Sequence, residues 1–77
     1  MALVRHFERT YKDRYMVHDE INAKYMVFEG DGRKLIQIDT FGRGYRDNPG
    51  KQSQTIQLDQ EGAFALYAVL KREFDFS

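Results

Sequence analysis

The chain has 77 residues, with 12 basic and 12 acidic side chains, 11 aromatic residues and no cysteine. This length supports one domain, residues 1–77, and so short a chain buries only about 60% of its unfolded surface, so its core is thin and a partner subunit is a ready source of stability. Zero net charge argues against a purely electrostatic nucleic-acid binder. The lack of cysteine rules out disulfides and thiolate metal sites, and no apolar run approaches the ~20 residues of a membrane span.

The head of the chain, MALVRHFERTYKDRYM, is too polar and too often interrupted by acids for a secretory signal, so cytoplasmic residence is expected. Its periodicity is mixed. Val4, Phe7 and Tyr11 would share a helix face, whereas Phe7, Arg9 and Tyr11 would share a strand face. The reading adopted is an arm over residues 1–14, helical or extended, followed by an early strand near Tyr15 to Ile21.

From Lys24 the pattern sharpens. KYMVFE and KLIQID are strand-like runs, and Asp31-Gly32 between them is a hairpin turn, since a tight turn needs positive φ at its central residues. In the second run Ile36 and Ile38 alternate with Gln37 and Asp39, giving one apolar and one polar face. In the first run Tyr25 and Val27 oppose Met26 and Phe28, so both faces are partly apolar and its orientation stays open.

Residues 42–51, GRGYRDNPGK, read as a loop. SQTIQLD then alternates again, with Gln54, Ile56 and Leu58 on one side and Ser53, Thr55 and Gln57 on the other. Ile56 and Leu58 are expected to join Ile36 and Ile38 in the core. Asp59 offers an N-cap and Glu61 an acid in the first turn of a helix from about Gln60 to about Phe74. Ala63, Leu66, Tyr67, Leu70 and Phe74 form its apolar stripe. Phe64 widens that arc, either to meet a second helix or to cap the sheet edge. The expected fold is therefore α+β: a curved antiparallel sheet of about four strands followed by one C-terminal helix, ββββα, whose thin core makes a dimer the expected assembly.

Charge is segregated along this framework. Arg33, Lys34, Arg43, Arg46 and Lys51 against Asp39 and Asp47 give residues 33–51 a balance of +3. Residues 1–16 carry +2, from Arg5, Arg9, Lys12 and Arg14 against Glu8 and Asp13. Tyr45 lies between Arg43 and Arg46 in the Gly-rich loop. An aromatic among cations suits single-stranded nucleic acid, where bases stack and phosphates pair with Arg or Lys. The alternative is that the tyrosines pack on the sheet and the cations only aid solubility.

Catalytic patterns are not found. Neither serine has a neighbouring His or elbow glycines. His18-Asp19-Glu20 on a strand would point to opposite faces and could not converge on a metal. The glycines of residues 42–50 precede no Lys-Ser/Thr pair at a helix start, so no phosphate-binding loop is formed. No enzyme, metal or cofactor is expected.

Over Lys24 to Leu70 the chain resembles the single-stranded-DNA-binding domain of the positive cofactor 4 type, which includes a eukaryotic transcriptional coactivator and small bacterial and phage relatives. GDGRKLIQIDTF looks like that family's turn and strand, RDNPGKQ like its Pro-Gly-basic loop, and TIQLDQEGAFALYAVLKREF like its last strand and capped helix. The resemblance implies four antiparallel strands and a helix, dimerised through helices and sheet edges, with single strands held in channels. It places Arg33 and Lys34 at basic contact positions, Lys51 after the Pro-Gly, and Phe41 as the strand-end aromatic. Asp39 and Glu29 depart from it where the family tends to carry basic residues, and Gly42 where a stacking aromatic is expected.

The first function expected is a non-catalytic homodimer binding single-stranded DNA or RNA. Arg33, Lys34, Arg43, Arg46 and Lys51 would take phosphates, while Phe41 and Tyr45 would stack on bases. The competing expectation is a protein-interaction or inhibitory module on the same scaffold, with Asp39 and Glu29 on its surface.

Overall fold

A computed structural model of the chain describes residues 1–41 and 52–76. It contains β1 (Ala2–Val4), β2 (Ala23–Gly30), β3 (Arg33–Phe41), β4 (Gln52–Leu58) and α1 (Gln60–Phe74). The strands form one sheet in the order β1-β4-β3-β2. The architecture is ββββα, as the sequence pattern requires.

β2 and β3 form the hairpin announced by Asp31-Gly32. Gly30 pairs with Arg33, and the two turn residues have φ of 53° and 73°, the positive pair that matches the twist of the flanking strands. β3 then pairs antiparallel with β4, placing Ile36 opposite Leu58, Ile38 opposite Ile56, Gln37 opposite Gln57 and Asp39 opposite Thr55. The ladder slips between Thr40 and Phe41, an irregularity that increases local twist at the end of the strand.

The sheet is mixed, not antiparallel throughout. β1 lies parallel to β4, with Ala2, Leu3 and Val4 beside Ile56, Gln57 and Leu58. The early strand expected near Tyr15 to Ile21 is not formed, and residues 5–22 have no regular structure. Three residues are too few to show an alternating pattern. A strand-forming stretch such as Tyr15 to Ile21 also needs an edge to pair with, and here it pairs with none.

α1 starts where Asp59 caps it. The Gly62 amide donates to Asp59 Oδ1 at 2.9 Å, and the Ala63 amide to the Asp59 carbonyl at 2.8 Å. It ends at Asp75, a non-glycine residue in the left-handed region with φ of 58°, a conformation that Asp tolerates better than most side chains. Gly62 rests on β1. A Cβ there would overlap the Val4 carbonyl oxygen, so only glycine allows the helix to approach so closely.

The helix meets the sheet through its first turns. Val27, Ile36 and Leu58 share a hollow of about 310 Å³ with Ala63, which puts α1 over the Ile36 side of the sheet. Its later residues Val69, Arg72, Glu73 and Phe74 line a second hollow with Phe7, Glu8 and Arg9 of the leading segment. Of the apolar residues expected in the core, Leu58 is buried, Ile36 and Ile38 are half-buried, and Ile56 is exposed. Leu35, on the other side, is the second buried apolar residue, near Phe28 and Gly30. Phe64, Tyr67 and Phe74 are at least half exposed, so Phe64 caps no sheet edge.

The result is an open molecule. Its Cα radius of gyration is 14.9 Å, against about 11.5 Å for a compact domain of this length. It exposes 7208 Å², where a folded monomer of 9.1 kDa exposes about 4900 Å².

Candidate nucleic-acid interface

Opposite residues of paired strands share a face, so the register sorts every side chain. With α1 on the Ile36–Leu58 side, the other side carries Gln37, Asp39, Thr55 and Gln57 at its centre. These four form a connected row. Gln57 Nε2 donates to Gln37 Oε1 at 2.9 Å, Gln37 Nε2 to Asp39 Oδ1 at 3.0 Å, and Thr55 Oγ1 to the same Asp39 oxygen at 2.8 Å. Asp39 and Thr55 are buried, and among the described residues no buried side-chain polar atom lacks a hydrogen-bond partner. Gln37, Thr55 and Gln57 line a dish of about 360 Å³ with Met1, Ala2 and Leu3.

At the far end of this face Lys24 lies over Phe41, its Nζ 5.1 Å from the ring centroid. A cation over an aromatic face is held by the ring quadrupole. The pair presents a positive charge and a π-surface together, at the end of β3. Lys24 is in register with Asp39, so the amide row and this pair belong to one surface.

The described candidates do not converge. Arg33 is committed to the helix cap: its NH1 lies 2.9 Å from Asp59 Oδ2, and Arg5 Nε lies 3.0 Å from the same oxygen. Arg5 also reaches Glu61 Oε1 at 2.8 Å. The Gly62 amide bond, with the Arg5 and Arg33 charges, holds the Asp59 carboxyl below its ordinary pKa against the opposing effect of burial. Lys34 pairs in register with Glu29 and points to the helix side, next to Ile36. Seven residues of strand, roughly 23 Å, separate it from Phe41 on the opposite face. Arg43, Tyr45, Arg46 and Lys51 lie outside the described residues.

Sequence reasoning missed Lys24 as a site residue, and it missed the glutamine row. The signal was present, because alternation had already put Gln37, Asp39, Thr55 and Gln57 on the polar sides of their strands. What alternation could not show is that the two polar sides coincide. Asp39, a departure from the resembled pattern, has its carboxylate engaged by Thr55 and Gln37 instead of presented to solvent.

Among the described residues no cluster of three or more His, Asp or Glu side chains could hold a metal ion, and no helix is long and apolar enough to cross a membrane. No protein-family model, curated protein or solved structure matches this chain.

Proposed function

We propose that this chain is a non-catalytic module that binds single-stranded nucleic acid as a homodimer, as its resemblance to the positive cofactor 4 type implies. The observation that carries this reading is the sheet face opposite α1, where a hydrogen-bonding row of Gln57, Gln37, Asp39 and Thr55 leads to the Lys24–Phe41 pair. Bases stack on exposed aromatic rings, amides bond to base edges, and cations take the phosphates. Lys24 supplies charge and Phe41 a stacking surface, and Arg43, Arg46 and Lys51 in the adjoining segment supply further cations. Arg33 braces the helix cap and Lys34 serves the other face. A cysteine-free chain suits a reducing, cytoplasmic setting.

The test is titration of fluorescently labelled single-stranded DNA and RNA oligonucleotides, followed by anisotropy over a salt series. Affinity that falls as salt rises, for either oligonucleotide, supports the reading. No binding at low salt by a protein shown to be folded discards it.

The second reading, a protein-interaction module, is favoured by a different observation: Phe64, Tyr67 and Phe74 are displayed on the helix at 51–67% exposure. Partners retained in a pull-down after nuclease treatment would point to it.

A further inference from the structure

We propose that residues 14–20 of one copy pair as an antiparallel strand with the outer edge of β2 in a second copy, and that the two copies exchange these arms reciprocally. This builds on the two-copy part of the reading above and is independent of nucleic-acid binding.

β2 is an edge strand, hydrogen-bonded to β3 alone. Its residues are exposed from Ala23 to Glu29, and Tyr25, Met26, Val27 and Phe28 make it apolar on both faces. A long apolar edge is a template for another strand, and folded proteins cover or blunt such edges. The arm supplies a matching strand. Tyr15, Met16 and Val17 are 74–97% exposed. Its base is fixed to the helix by Arg5 on Glu61 at 2.8 Å and Arg9 on Glu73 at 3.0 Å, so it follows α1 from its first turn to its last.

Charge selects the register. Placing Val17 opposite Met26 sets Arg14 opposite Glu29 and Asp19 opposite Lys24. No other antiparallel register between these segments gives both β2 charges an opposite partner. The same register within one chain would require a two-residue turn at Ile21-Asn22. Such turns need positive φ at their central residues, which β-branched Ile resists. Among the described non-glycine residues only Asp31 and Asp75 have positive φ. Without that turn the segment cannot fold back on its own β2 in this register, and the edge it can reach in this register belongs to a second copy. Reciprocal exchange closes with two-fold symmetry, so this pairing stops at two copies instead of propagating into fibres. Each chain also exposes roughly 2300 Å² more than a folded monomer of its mass would, well above the ~800 Å² per partner of a standard interface.

The chain has no cysteine, so paired cysteines report the contact directly. Val17 and Met26 would face each other as a non-hydrogen-bonded pair, the close spacing that a disulfide spans. Chains carrying Val17→Cys and chains of different length carrying Met26→Cys are refolded together without oligonucleotide, oxidised and separated on a non-reducing gel. The expected product is a mixed disulfide between the two lengths, with none when Tyr25→Cys, on the opposite face, replaces Met26→Cys. A within-chain disulfide in the doubly substituted Val17→Cys/Met26→Cys protein, with no mixed product, would mean the arm folds back on its own β2 and would overturn the exchange. Failure to form either disulfide would overturn the pairing itself. Sedimentation supplies a second readout that needs no cysteine. Glu29→Arg should weaken the dimer about tenfold, two cross-strand pairs being reversed by symmetry, and adding Arg14→Glu should restore it. Equal weakening by the single and double variants would count against the register.

Discussion

Arg33 NH1 sits 2.9 Å from Asp59 Oδ2, so the residue that opens β3 is bound to the residue that caps α1. Arg5 shares the same carboxylate oxygen from the arm. One buried acid thus joins the hairpin, the helix and the chain's leading segment.

Arg33→Ala should therefore act on folding more than on ligand affinity. A fall in melting temperature of about 5 °C is expected, as for a weakened cap in a domain of this size, with oligonucleotide affinity lowered less than twofold when measured below the transition. A large loss of affinity with an unchanged melting temperature would return Arg33 to the binding surface.

The same cap predicts an acid limit. The carboxyl of Asp59 lies below its ordinary value of 3.8, first through the Gly62 amide bond and then through Arg5 and Arg33. A group with a depressed folded pKa contributes its stability above the unfolded pKa and loses it as pH falls through the folded one. Stability measured by urea unfolding should decline below about pH 4, and Asp59→Asn should flatten that decline. An equally steep acid decline in the variant would assign it to other carboxylates.

Gly62→Ala sets two effects against each other. Alanine is the better helix former by about 1 kcal/mol, but its methyl group would overlap the Val4 carbonyl. Moving the helix off β1 is expected to win, with a net loss of about 1–2 kcal/mol in urea unfolding. A stabilised variant would show that β1 yields freely.

On the proposed binding face, Phe41→Ala should weaken single-strand binding about tenfold through lost stacking. Lys24→Ala should lower the salt slope of log affinity by about 0.7, one phosphate contact. Lys34→Ala, on the helix side, should leave both nearly unchanged. Equal effects at Lys24 and Lys34 would mean that the nucleic acid does not distinguish the two faces.

Much of the framework was legible because it rests on local chemistry. Asp31-Gly32 announces its turn through the positive φ it can adopt, Asp59 its cap through a short acceptor side chain, and Ile36, Ile38, Ile56 and Leu58 their shared face through period-two alternation. The site was less legible. Arg33 and Lys34 are adjacent in the chain, but on a strand adjacent side chains diverge, so a basic pair in sequence became a brace on one side and a surface charge on the other. Lys24 and Phe41 are separated by 17 positions, and only the hairpin brings them together. The leading segment misled for a related reason: Tyr15 to Ile21 has strand character, but strand character alone does not supply a paired edge, and the segment joins no strand of its own sheet.

By itself the order of residues determined the turn, the cap, the helix and which side of β3 and β4 is apolar, because each depends on backbone preferences and side-chain periods that act over a few residues. The tertiary structure decided that β1 joins β4 in parallel, that Arg33 serves Asp59, and that the polar sides of β3 and β4 merge into one row. Those outcomes depend on register and on contacts between distant segments, and the energies that select them exist only once the strands lie side by side.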